Sequence, residues 1–103
     1  MKPIIFHTKA FTEMEEACAF YESRRPGLGG DCRSELEQAF ARIQQHPKAF
    51  TMSKDQKTRK CIVRRFPYTI FFTEFDDRIW VAAVSHQRRR PDYWANREPD
   101  DVA

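Results

Sequence analysis

One stretch of this chain concentrates the residues able to do chemistry. His86 is followed by Arg88, Arg89 and Arg90, then Tyr93, Trp94 and Arg97. Arg64 and Arg65 form a second basic pair upstream. A histidine whose unperturbed pKa is about 6.5 can serve as acid or base near neutral pH. Arginines can hold phosphate, and aromatic rings can stack on splayed bases. Together these are the parts of metal-free phosphodiester cleavage, with His86, Arg64, Arg89 and Tyr93 as the reacting set. The same cations suit an acidic protein surface equally well, with Arg64, Arg65, Arg88, Arg90, Trp94 and Arg97 as the contacts. Along an extended segment side chains alternate, so Arg88 and Arg90 point one way and Arg89 the other. That assigns Arg89 to an internal carboxylate bridge and its neighbours to a partner. Trp94 is expected first to pack over the end of the sheet, with contact to a partner as the alternative.

Charge supports a presented basic face. Residues 1–53 carry seven basic and seven acidic side chains, residues 54–97 eleven and five, and residues 98–103 three acids. The excess that gives net +3 therefore lies in the second half, where it steers an anionic partner to one side. The acids from Glu98 to Asp101 can fold back on that face or remain a loose end.

The elements that deliver this cluster read from periodicity. Residues 3–7 form a short strand. Thr8 or Thr12 caps a first helix, and Thr12 with Glu15 matches a capping box. Ala10, Met14, Ala17 and Tyr21 mark its buried face, with Phe11 and Cys18 beside it. The turn RRPGLGG, residues 24–30, lacks the spacing of a nucleotide-binding loop and follows a helix. A second helix spans about residues 29–46, with Cys32, Leu36, Phe40 and Ile43 at helical spacing and Pro47 at its end. Residues 47–58 read as irregular. Three strands follow at 59–66, 68–75 and 78–86, joined by turns at Phe66-Pro67 and Asp76-Asp77. Both alternations of the last two are apolar, so both sheet faces are partly covered. Pro91 can open a short helix over 91–97. The order β-α-α-β-β-β with local hairpins predicts an α+β fold, an antiparallel sheet packed on a helical hairpin.

At 103 residues, 41% hydrophobic and 14% aromatic with nine phenylalanines, the chain reads as one globular domain over 1–103. No apolar run reaches membrane-spanning length, and the three apolar residues in MKPIIFHTK are too few for a secretory leader. A cytoplasmic protein is expected. Cys18, Cys32 and Cys61 have neither C-x-x-C nor zinc spacing, so they are expected to be buried, inert thiols, and no cofactor or metal is implied. His7 and His46 are assigned no role.

Four segments in this order resemble the RelE/ParE superfamily of type II toxins. They are AFYESRRPGLGGDC with the second helix it opens, IQQHPKAF, RRFPYTIFF and the closing VSHQRRRPDYWANR. The closing His86, Arg89, Pro91, Trp94 and Arg97 look most like the ParE-type, plasmid-stabilisation branch. That resemblance implies a growth-inhibiting toxin in a hetero-oligomer with a cognate antitoxin, acting on DNA gyrase by binding. The RelE-like alternative is an endonuclease working on the ribosome and its mRNA. Its nuclease residues would fall near Lys54, Lys57, Lys60 and Tyr93, without one-to-one correspondence. A further alternative is a non-toxic member that only binds antitoxin. An antitoxin would be expected in a groove formed by the helical hairpin and a sheet edge.

Overall fold

The computed structural model describes residues 1–99. Strand β1 (Ile4–Phe6) leads into helix α1 (Thr8–Arg24) and helix α2 (Leu28–Gln45). A 3-10 turn (Pro47–Ala49) and a two-residue strand β2 (Thr51–Met52) follow, then β3 (Arg59–Ile62), β4 (Tyr68–Glu74) and β5 (Ile79–His86). The five strands lie in the order β1-β5-β4-β3-β2.

Helix α1 forms because Ala10, Met14, Ala17 and Cys18 recur on one side and are buried there. Neither threonine caps it. His7 does: its Nδ1 accepts a hydrogen bond from Lys9 N at 3.1 Å. Thr12 lies inside the helix, its hydroxyl donating to Thr8 O. His7, given no role from sequence, is only 4% exposed and packs edge-on against Trp80. The helix stops at Arg25, which is extended as a residue before proline must be.

The turn into α2 depends on two glycines. Gly27 takes a left-handed φ of 90°, which a side chain would strain. Gly29 lies so close to α1 that a Cβ would come within 2.7 Å of Cys18 O. The Glu22 carboxylate accepts from Gly27 N and Gly29 N, capping α2 from the preceding helix. Cys32, Leu36, Ala39 and Ile43 then face the sheet, fully buried.

Three pairings in the sheet are antiparallel, and the fourth, β1 on β5, is parallel with Ile4 opposite Ile79 and Phe6 opposite Val81. Local hairpins carried no information on that pair, whose strands are separated by both helices. The segment expected to be irregular contains β2, held on β3 by Thr51–Lys60 and Met52–Arg59 pairing. Its exposed residues lack the apolar pattern that marks a strand.

One core fills the space between the hairpin and the sheet, with Leu36, Ile43, Ile70, Phe72, Ile79 and Val84 inside it. A second cluster covers the opposite face, where Trp80, Ala82, Ala83 and Trp94 pack with Phe71, Phe75 and Tyr93. Both faces are thus covered, and residues Ile79–Ser85 of β5 are all buried. Residues 91–96 cover the second face as consecutive turns, not as the helix expected after Pro91. Their bonds run three residues back, Ala95 N to Asp92 O and Arg97 N to Trp94 O, and Asp92 has a φ of 63°. Asp100 and Asp101 of the acidic end lie outside the described residues.

Gly29→Ala is expected to lower unfolding free energy by about 1–3 kcal/mol, because Cys18 O is backbone and cannot move aside. Gly30→Ala, with open space around the added carbon, should raise it by about 0.5–1 kcal/mol. Urea unfolding of both variants checks the pair of signs.

Candidate functional site

The centre of the site is a residue that sequence reading passed over. Glu13 sits one turn along from Ala10, at the border of the buried face of α1. Its Oε1 and Oε2 take a two-point ion pair from Arg97 at 3.0 and 2.9 Å. Tyr93 Oη donates to Oε2 at 2.7 Å, and the Val84 amide donates to Oε1 at 3.0 Å. Arg89 approaches Oε2 at 3.6 Å. The side chains of Glu13 and Arg97 are 13% and 10% exposed.

This cluster completes the edge of β5. Strand β1 covers that edge only as far as Val81, whose carbonyl accepts from His7 N. The register with β4 slips between Phe71 and Phe72, leaving Ala82 as an extra residue on β5. Ala82 O accepts from Arg97 Nη1 at 2.9 Å, and Val84 N is taken by Glu13. The ion pair therefore supplies the donor and acceptor that a longer β1 would have supplied.

The candidate residues divide accordingly. Arg97, expected to meet a partner, is turned inward, and Trp94 packs over the sheet, the first of its two expected roles. Trp94 is 7% exposed and stacks on Phe71 with ring centroids 4.5 Å apart. Tyr93 is pinned to Glu13, and its hydroxyl is pushed up to about 12, by burial first and by the Glu13 hydrogen bond second. Arg89 makes the carboxylate contact expected of it and also lies flat over the Tyr93 ring, 3.7 Å from its centre. Arg88 and Arg90 are exposed, in a turn opened by Arg89 N bonding to His86 O.

His86 is partly buried. Its Nδ1 accepts from Arg88 N at 3.0 Å, and its ring meets Tyr68 edge-on at 5.2 Å. Gln87 N donates to Pro67 O, which places the turn carrying Arg64 and Arg65 beside the end of β5. Arg65, with a φ of 71°, leans toward Asp31 and Glu35 on α2 at 3.7 and 3.6 Å. Arg64 is exposed.

The cysteines are buried and unpaired, and the Cys32 thiol is pushed up to about 12 by burial and then by the neighbouring Cys18. Such a thiol is a poor nucleophile. Among the described residues no three His, Cys, Asp or Glu side chains gather as metal ligands, and no helix is long and apolar enough to cross a membrane.

Arg97→Ala should cost about 3 kcal/mol in urea unfolding, since it strips a mostly buried carboxylate of its main partner and leaves Ala82 O without a donor. Alkaline pH gives a second check. Tyr93 ionises near its ordinary value of 10 when unfolded and about 12 when folded, so the folded chain holds that proton longer. The stability it contributes is complete below pH 10 and is lost as pH rises toward 12. Tyr93→Phe is expected to make the decline in unfolding midpoint over that window shallower than in the parent chain. Tyr68, also pushed up to about 12 by burial, should account for part of what remains.

A sequence profile described as the ParE toxin of the type II toxin-antitoxin system parDE matches residues 4–91. Tyr93, Trp94 and Arg97 fall just beyond the matched span. No curated protein sequence is similar enough to count as a match. Among solved structures, the chromosomal ParDE toxin-antitoxin system from P. aeruginosa resembles the chain with a TM-score of 0.72. The two are 15% identical, over 84% of this chain and 96% of that one, so the likeness is one of fold. The profile spans most of the chain, and on that ground the protein belongs to the ParE toxin family of type II toxin-antitoxin systems.

Proposed function

We propose that this toxin arrests growth by binding DNA gyrase, without cleaving RNA, and that a cognate antitoxin neutralises it. The observation that carries this reading is how the candidate nuclease groups are used. Tyr93 is held by Glu13 and resists ionisation, Arg89 is stacked on Tyr93, and His86 Nδ1 is occupied by the Arg88 amide. Tyr93 is thus committed inside the fold, while Arg89 and His86 are held in place by their neighbours. Arg64, Arg88 and Arg90 stay exposed near the end of β5 and are suited to contact an acidic protein surface.

The antitoxin is expected to lie along the hairpin and a sheet edge. Ile62, at 64% exposure on β3, and Phe20, at 48% on α1, are apolar side chains available to a partner segment.

Inducing the protein in cells and comparing plasmid supercoiling with the 5′ ends of messenger RNA separates the two targets. Loss of supercoiling with intact messages is expected. New message 5′ ends with unchanged supercoiling would replace the gyrase reading by the ribosome-dependent endonuclease. Absence of growth arrest would favour a non-toxic antitoxin binder. Reversing charge at Arg88 and Arg90 together should reduce inhibition of purified gyrase, with the unfolding free energy moving by no more than about 0.5 kcal/mol.

A further inference from the structure

A cleft of about 800 Å³ opens between the first turns of α1 and the 89–97 segment. Its volume falls in the range of sites for small organic ligands. Lys9 and Thr12 line it from the helix, and Arg89, Arg90 and Asn96 from the other wall, with Glu16 at its border. Glu13 and Arg97 lie at its base and neutralise each other. Beyond that pair the lining holds three cations, Lys9, Arg89 and Arg90, against one acid, Glu16.

The cleft is more than a patch of mobile charge. Arg89 lies 3.7 Å from the centre of the Tyr93 ring, Tyr93 is bonded to Glu13, and Glu13 is locked by Arg97. Each contact restrains the next, so the guanidinium is oriented before any ligand arrives. Arg89 keeps donors for a ligand, since its side chain is 50% exposed in the cleft wall and its 3.6 Å approach to Glu13 is too long for a hydrogen bond.

We infer that this cleft binds the phosphate groups of a small phosphorylated metabolite of nucleoside-diphosphate size. Cations reach the cleft from two separate segments, which suits an anion with several charged oxygens, such as a diphosphate, better than a single carboxylate. The base of such a ligand would gain little. Of the two aromatic rings in the lining, Tyr93 is covered by Arg89 and has the Arg97 guanidinium 5.1 Å from its centre, and His7 is 4% exposed with its ring against Trp80. Recognition therefore rests on phosphate and is indifferent to the base. The inference holds whichever macromolecule the toxin arrests.

Titration of the purified chain with ADP, GDP, pyrophosphate and adenosine, followed by amide NMR, tests this. ADP, GDP and pyrophosphate should shift the amides of Lys9, Arg90 and Asn96 with similar millimolar affinity, and adenosine should shift none of them. Arg90→Glu and Lys9→Glu should each weaken ADP binding by roughly tenfold or more. Both side chains are exposed, and an acid in the first turn of α1 favours the helix, so both variants should fold. Lys54→Glu, on the separate cleft that Arg90 also borders, should leave ADP binding within about twofold. Equal binding of adenosine, no shift with ADP, or an equal loss in all three variants would each overturn the inference, the last by showing general attraction to polyanions.

Discussion

The tertiary structure turns on one carboxylate. Glu13 joins α1, the exposed edge of β5 and the chain after the last strand through four hydrogen bonds, with Arg89 approaching at 3.6 Å. An ion pair this far out of water gains little net free energy over an apolar contact of the same shape. Its importance is geometric. β1 ends early because the chain must turn into α1, and the bulge at Ala82 leaves backbone groups without a strand to meet. Leaving them unpaired would be costly, and Glu13 with Arg97 answers both an amide and a carbonyl. The edge is also blocked against pairing with another chain over this stretch.

The same contact decides which face of the sheet is covered. With Arg97 fixed, the turns over 91–96 are drawn across the second face and Trp94 is laid on Phe71. The basic run then separates by role. Arg97 is spent on Glu13, Arg89 rests on the Tyr93 ring with its side chain half exposed, and Arg88 and Arg90 are left outward. The tail residues in this arrangement lie past the span that the family profile matches, although Glu13 lies within it. The toxin fold is thus shared with the family, and the profile does not describe how this chain closes its β5 edge.

Much of the fold is legible in the sequence. Ala10, Met14 and Ala17 on α1, and Cys32, Leu36 and Ile43 on α2, repeat at helical spacing because each helix buries one stripe. The apolar alternation of β4 and β5 on both sides correctly implied two covered faces, and the order of segments pointed to the family. Local chemistry was misread where two solutions compete. Thr12 with Glu15 looks like a cap, but His7 already holds the Lys9 amide one turn earlier. β2 escaped notice because a two-residue edge strand has no period to detect.

The sequence by itself determined the helices, the last two strands, the apolar sets that bury, and the presence of a basic cluster at the end of β5. These follow from spacing along the chain, where neighbours a few residues apart share a face. The strand expected over 59–66 stops at Ile62, and Arg64 and Arg65 lie in the turn after it, where Arg65 takes a φ of 71°. Only the tertiary structure decided the parallel pairing of β1 with β5 and the choice of Glu13 as the partner of Arg97, 84 positions away. A carboxylate at the border of an apolar stripe looks the same in sequence whether water or a distant guanidinium satisfies it. What distinguishes the two is desolvation, and that is set by the sheet edge and the covering turns once they have packed together.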